Sequence, residues 1–152
     1  IPGSLGDILD ECGVKLIWQS GATGNSVFYG SAFTRLPHIV ATGGSLGYYF
    51  TSCKNLETID SIDVTNATAS TAFNSTFSGC TALKNLTIVG EISVSGMDVS
   101  VCPLTHDSLM SIINALQKKT GGTFTVTLGA TNLAKLSADE KAIATGKGWT
   151  LK

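Results

Sequence analysis

The residues able to act as nucleophiles, proton carriers or metal ligands are Cys12, Cys53, Cys80 and Cys102, His38 and His106, and scattered carboxylates. A thiol or hydroxyl nucleophile needs an adjacent base, and neither a G-x-S-x-G elbow nor a catalytic-cysteine signature places one in this chain. The cysteines lack the short C-x-x-C spacing of a zinc or redox site, and only two histidines exist to help. His106, within Leu104-Thr-His-Asp107, reads as a first-turn helix residue beside Asp107. Asp60, Asp63 and Asp98 could supply oxygen ligands to calcium, but no D-x-[DN]-x-[DN]-G loop organises them, so they read as solvated carboxylates. Gly21-Ala-Thr-Gly24 and Gly146-Lys147-Gly148 lack the spacing and context of a phosphate loop and read as turns and a helix stop. The expectation is a protein that is not an enzyme, with no metal site and no cofactor.

Binding is the remaining chemistry, and composition narrows the partners. A net charge of −1 and 14% charged residues give no clustered Lys and Arg for a nucleic-acid or anionic-membrane surface. No apolar stretch approaches the roughly 20 residues that span a bilayer, so a soluble chain with no membrane insertion is expected. Exposed rings with polar neighbours grip sugars and proteins. Phe28-Tyr29 and Tyr48-Tyr49-Phe50 place adjacent aromatics on opposite sides of extended chain, which makes Tyr48 or Tyr49 a candidate contact. The triplets Asn66-Ala-Thr68, Asn74-Ser-Thr76 and Asn85-Leu-Thr87 fit the glycosylation pattern, but such triplets arise by chance in a Thr-rich chain.

The elements that must position these residues follow from an internal repeat. Phe50-Thr-Ser-Cys53-Lys-Asn-Leu56-Glu-Thr-Ile59 returns as Phe77-Ser-Gly-Cys80-Thr-Ala-Leu83-Lys-Asn-Leu86, displaced by 27 positions. A unit of that length cannot bury its own apolar residues, so copies must stack until Phe, Cys and Leu form one continuous core. Cys53 and Cys80 hold the same repeat position and are read as buried free thiols in a ladder. An earlier, degenerate unit aligns Leu36-Pro-His-Ile39 with Leu56 to Ile59, 20 positions on, which puts Gly30 at the Phe position and Phe33 at the Cys position. Residues Thr65 to Ser78 read as a low-complexity connector.

Each unit carries a short strand. In Leu83-Lys-Asn-Leu86-Thr-Ile88-Val89, Leu86 and Ile88 alternate inward and Thr87 outward. Stacking then lines up an outward column of His38, Glu57, Asp60, Lys84 and Thr87. Ahead of the repeats, Val14 to Trp18 reads as a first strand, after a short helix at Leu5 to Glu11. Behind them, Thr105 is a helix N-cap, Leu109, Ile112, Ile113 and Leu116 form a buried stripe, Lys118 and Lys119 fall in the last turn and Gly121-Gly122 ends it. Thr123 to Gly129 alternates as a strand facing Phe124, Val126 and Leu128 inward. Ser137 to Glu140 is a capping box, Gly146 a left-handed stop, and Trp149 with Leu151 a closing edge. The domain organisation is a single domain over 1–152, with a strand and loop region at 1–30, irregular repeats at 31–103 and a C-terminal cap at 104–152.

The Phe-x-x-Cys-x-x-Leu-x-x-Ile/Leu pattern at Phe50 to Ile59 and Phe77 to Leu86 resembles the BspA-like leucine-rich repeats of bacterial surface proteins. The ending, with Cys102-Pro-Leu-Thr-His-Asp-Ser-Leu-Met-Ser-Ile-Ile-Asn-Ala-Leu116, Thr127-Leu-Gly-Ala-Thr-Asn-Leu-Ala-Lys-Leu136 and Lys147-Gly-Trp-Thr-Leu151, is similar to the C-terminal cap of such proteins in gut Firmicutes and their phages. The resemblance covers Ser31 to the end. It implies an α/β repeat fold, a short leucine-rich-repeat solenoid with short parallel strands and a helix-strand-helix-strand C-terminal cap. It also implies display on a bacterial cell surface or phage tail or baseplate, extracellular, with adhesion or receptor binding as the role.

The function expected is a non-enzymatic recognition module for a protein or glycan receptor, contacting it through His38, Tyr48, Tyr49, Glu57, Asp60, Lys84 and Thr87. The alternative is a structural spacer or assembly segment with no ligand of its own. The opening Ile1-Pro2-Gly3 has no initiator Met and no charged leader, so any signal peptide is expected to be absent or removed, and flanking domains of a longer chain are possible partners.

Overall fold

The computed structural model describes residues 16–18 and 27–152; Cys12, the helix expected at Leu5 to Glu11 and the loop at Gly21 to Asn25 lie outside them. The fold is α/β with short parallel strands. Strands β1 (Leu16–Trp18), β2 (Arg35–Ala41), β3 (Thr58–Asp63) and β4 (Asn85–Val89) form one parallel sheet in chain order. Leu36, Ile59 and Leu86 pair across it and are buried, as are Ile39, Ile62 and Ile88. In β3 the two inward residues are three apart and in β4 two apart, and a register shift between Ile59 and Ile62 absorbs the extra residue, the count difference that makes a β-bulge. Pro37, which has no N–H to donate, falls between the paired positions Leu36 and His38.

The pairing corrects the alignment of the first unit. Residues of β2 meet β3 at an offset of 23, as His38 meets Ser61, and β3 meets β4 at 27, as Thr58 meets Asn85. The expected offset of 20 is therefore three residues short. Phe28 and Ser31, not Gly30 and Phe33, hold the Phe and Cys positions. Phe28 stacks on Phe50 at 5.6 Å and Phe50 on Phe77 at 5.7 Å, and Ser31 Oγ lies 3.4 Å from Cys53 Sγ. Serine replaced cysteine and hid the unit.

Opposite the sheet, the returning turns repeat as well. Ser31, Cys53, Cys80 and Cys102 each donate a backbone N–H to the carbonyl three residues earlier, at Phe28, Phe50, Phe77 and Val99. A fourth copy, Val99-Ser-Val-Cys102, thus follows the three that carry Phe. Between layers, Phe28 N–H donates to Tyr49 O, Tyr48 to Asn74, Phe50 to Thr76 and Ser52 to Ser78. Cys53 and Cys80 donate their thiols to Phe28 O and Phe50 O at 2.8 and 3.0 Å. Cys53, Cys80 and Cys102 are free and buried, small hydrophobes with a weak donor. The stretch from Thr65 to Ser78 is not a loose connector, because Ala67, Ala72, Phe73, Thr76 and Phe77 are all buried within it. Gly79 has φ +77, and a Cβ there would stand 3.2 Å from Ser52 Cα in the layer below. Glycine meets both the left-handed backbone and the close approach without strain.

Helix α1 (His106–Ala115) ends the sheet. Thr105 caps it by accepting from Ser108 N–H, and Leu109, Ile112, Ile113 and Leu116 are buried as their spacing requires. The free edge of β4 presents N–H groups that a fifth strand would otherwise take. Ser108 Oγ accepts Leu86 N–H at 2.9 Å and Ser111 Oγ accepts Ile88 N–H at 2.8 Å, so a helix covers the edge and blocks edge-to-edge pairing. The helix stops at Ala115, before Lys118, Lys119 and Gly121, because the chain there turns to pair with Ile92: Ile92 N–H donates to Ala115 O and Gln117 N–H to Ile92 O.

Beyond it lie β5 (Phe124–Val126), a four-residue helix α2 (Ala130–Leu133), α3 (Ala138–Gly146) and β6 (Trp149–Leu151), with β5 and β6 paired in parallel. Strand β5 is shorter than the Thr123 to Gly129 expected, and α2 interrupts the expected helix-strand-helix-strand order. Ser137 and Glu140 form the capping box. Gly148, at φ +83, takes the left-handed conformation expected of Gly146.

Candidate binding surfaces

Alternation along β3 and β4 sends Thr58 and Asp60 outward on one strand and Asn85 and Thr87 on the next. With Thr105 and Asp107 at the start of α1, these side chains line an open cavity of about 300 Å³ on the sheet face. Asn85 Nδ2 donates to Thr58 Oγ1 at 3.2 Å. Arg35 grips Asp60 with two bonds, Nε to Oδ1 at 3.1 Å and Nη2 to Oδ2 at 2.7 Å, with Asp60 16% exposed. A bidentate, partly shielded pair of this kind fixes geometry as well as charge. His38 Nδ1 lies 2.8 Å from Ser61 Oγ, one row along the sheet. Glu57 and Lys84 stand at the strand entries, 3.7 Å apart and half exposed, an ion pair of about 0–1 kcal/mol at most.

Of the expected contact residues, Asp60 and Thr87 come together in the cavity, and His38, Glu57 and Lys84 lie outside its lining. The two tyrosines part company. Tyr49 is fully buried, and its Oη has no hydrogen-bond partner among the described residues, so it presents nothing to a ligand. Tyr48 is 46% exposed on the opposite, turn side. There it borders a second cavity of about 310 Å³ with Asn74, Ser75, Ser78, Asp98 and Ser100. Tyr48 has φ 61 and Ser75, its counterpart one layer on, φ 51; left-handed backbone costs a Cβ-bearing residue roughly 1–2 kcal/mol.

The sheet-face partners Thr58 and Asn85 were readable from alternation, being two residues before Asp60 and Thr87. The turn-side set was not, since it depends on which way a left-handed turn points.

Cys80 and Cys102 are chemically quiet. Burial, with Cys53 nearby, pushes the Cys80 thiol up to about 12, and burial pushes Cys102 up further, with Cys80 and Asp98 adding to it. Both are held as neutral thiols, not nucleophilic thiolates. His106 Nε2 lies 2.8 Å from Glu140 Oε1 and Nδ1 3.8 Å from Asp107 Oδ1, tying the starts of α1 and α3 together. Among the described residues, no group of three or more His, Cys, Asp or Glu side chains is arranged to hold a metal ion, and no helix is long and apolar enough to cross a membrane. Comparison with protein-family models, with curated proteins and with solved structures finds no match.

Proposed function

We propose that this chain is a short leucine-rich-repeat solenoid serving as a non-enzymatic recognition module, which binds a protein or glycan receptor through the outward face of its parallel sheet. Its setting is a bacterial cell-surface protein or a phage tail or baseplate. The observation that carries the reading is the sheet-face cavity, where hydroxyl, amide and carboxylate groups from two strands and a helix start converge on one concave surface. Rigid elements hold every one of these groups, which lowers the ordering cost of binding. The Cys80 and Cys102 thiols, buried and held neutral, support recognition over turnover.

The test is binding of the labelled domain to bacterial cell-wall glycans, mucins and intact gut bacteria. Saturable binding to one class, abolished by N85A with T87A while the unfolding midpoint holds, is expected. Binding to none of them, together with self-association or docking to flanking segments in light scattering, would make the chain a structural spacer.

A further inference from the structure

We propose that the turn-side cavity around Tyr48 is a subsite for one neutral sugar ring, separate from the sheet face and not dependent on it. The cavity is built from three successive layers: Tyr48 from one, Asn74, Ser75 and Ser78 from the next, and Asp98 and Ser100 from the third. Its size, about 310 Å³, lies at the small end of the roughly 300–1,000 Å³ typical of ligand pockets and suits a single ring.

The placement of Tyr48 works against folding twice. The residue takes a left-handed φ, as its counterpart Ser75 does one layer on, and it leaves 46% of an aromatic side chain in solvent. Glycine would relieve the first cost and a polar residue the second, so an aromatic at this point is best explained by what it contacts. An exposed ring offers its face to the apolar C–H face of a sugar.

The lining supplies the rest of that chemistry. Asn74 and the serine hydroxyls both donate and accept, which matches hydroxyl groups that do the same. Asp98 Oδ1 accepts Ser100 N–H at 2.9 Å, which orients the carboxylate while its other oxygen can accept from a ligand. Among the described residues no Lys or Arg lines the cavity and Asp98 is its one charged group, so phosphate and acidic sugars are disfavoured. Val101 adds one apolar wall in addition to the Tyr48 ring, which fits the apolar C–H face of the same sugar. The frame is preorganised: Tyr48 N–H donates to Asn74 O at 2.9 Å, and Thr51 Oγ1 to Ser75 O at 2.7 Å.

The experiment is an NMR titration of the isotope-labelled full chain with glucose, galactose, mannose and N-acetylglucosamine, and with sialic acid as an anionic sugar. Saturable shifts of the amides at 48, 74–78 and 98–101 are expected with at least one neutral sugar and none with sialic acid. Tyr48→Gly, which relaxes the backbone, and Asn74→Ala should each weaken that binding about tenfold or more, whereas Thr87→Ala on the sheet face should leave it unchanged. Absence of shifts at these amides with every neutral sugar, shifts confined to the sheet face, or undiminished affinity in both folded variants would overturn the proposal. Loss of sheet-face binding in the cell-wall panel would leave this result untouched.

Discussion

In the layered region from Phe28 to Leu104, backbone groups are bonded repeatedly to the equivalent group of the next layer; after Thr105 the β5–β6 pair and scattered backbone bonds share that task with individual side chains. Glu57 N–H reaches Thr34 O, Lys84 N–H reaches Glu57 O and Thr105 N–H reaches Lys84 O, one ladder built from successive copies. Where copies run out, Ser108 and Ser111 accept the N–H groups of β4, Asn132 Nδ2 donates to Val99, Cys102 and Leu128 carbonyls, and Trp149 Nε1 donates to Gln117 O. The layers therefore depend on apolar stacking and tolerate polar change at their surface, and the tail depends on a few polar side chains that have no substitutes.

The largest expected effect is in the layers. Phe50 is fully buried between Phe28 and Phe77, so Phe50→Ala should cost about 3–5 kcal/mol in denaturant unfolding; a loss no larger than that of a surface change would mean the ring stack is not the core of the layers. In the tail, Asn132 is 1% exposed. Asn132→Ala strips a donor from three carbonyls and should fall in the upper part of about 1–3 kcal/mol. Asn132→Asp should be worse, because a carboxylate oxygen would replace the amide among those carbonyls. Ser108→Ala orphans the Leu86 N–H and should fall in the lower part of that range, with Ser111→Ala smaller because Ser111 is only half-buried. Equal costs for Ser108 and Ser111 would argue that water replaces both hydroxyls.

The layers were more legible in sequence than the tail's polar contacts, for a physical reason. Phe50, Cys53 and Leu56 repeat because each faces its own copy, so identity in space requires likeness in sequence. The exception is instructive: Ser31 fills the Cys place with a different side chain of similar size, and the first unit slipped by three residues on paper. In the tail, periodicity revealed α1, and Thr105, Ser137 and Glu140 announced their helix starts through short-range capping. Asn132, Ser108 and Ser111 were silent because each serves one distant backbone group, a contact with no spacing rule. Tyr49 was misread for the opposite reason. Residues 47–50 form a turn and not the extended chain that alternation assumed, and adjacent Tyr49 and Phe50 are both buried while Tyr48 is exposed, so packing against the layers decides which ring is inside.

The thiol ladder sharpens the contrast without changing stability. Folded protein at mildly alkaline pH should leave Cys53, Cys80 and Cys102 unmodified by a small alkylating reagent, and denaturant should release all three. All three are buried out of the reagent's reach, and burial also keeps the Cys80 and Cys102 thiols protonated there, whereas only the thiolate reacts. Modification of Cys80 in the folded state at a rate independent of denaturant would mean that the layers open locally on the reagent's timescale.

The smallest effect belongs to the exposed end of the tail. Glu140 accepts Ser137 N–H at 2.8 Å and sits 2.8 Å from His106, and the Ser137 backbone bond, ahead of the His106 contact, holds its carboxyl below the ordinary 4.5. A folded-state pKa below the unfolded one means that the contribution is fully present above the ordinary glutamate range and is lost as pH falls through the depressed value. Glu140→Gln should therefore lower the unfolding midpoint slightly at neutral pH, and the two proteins should converge in acid. The His106–Glu140 contact lies at the surface, with side chains 48% and 26% exposed, and solvent screening keeps the difference small. A gap that persists unchanged in acid would assign the cost to the shape of the capping box and leave the charge with no part in fastening α3 to α1.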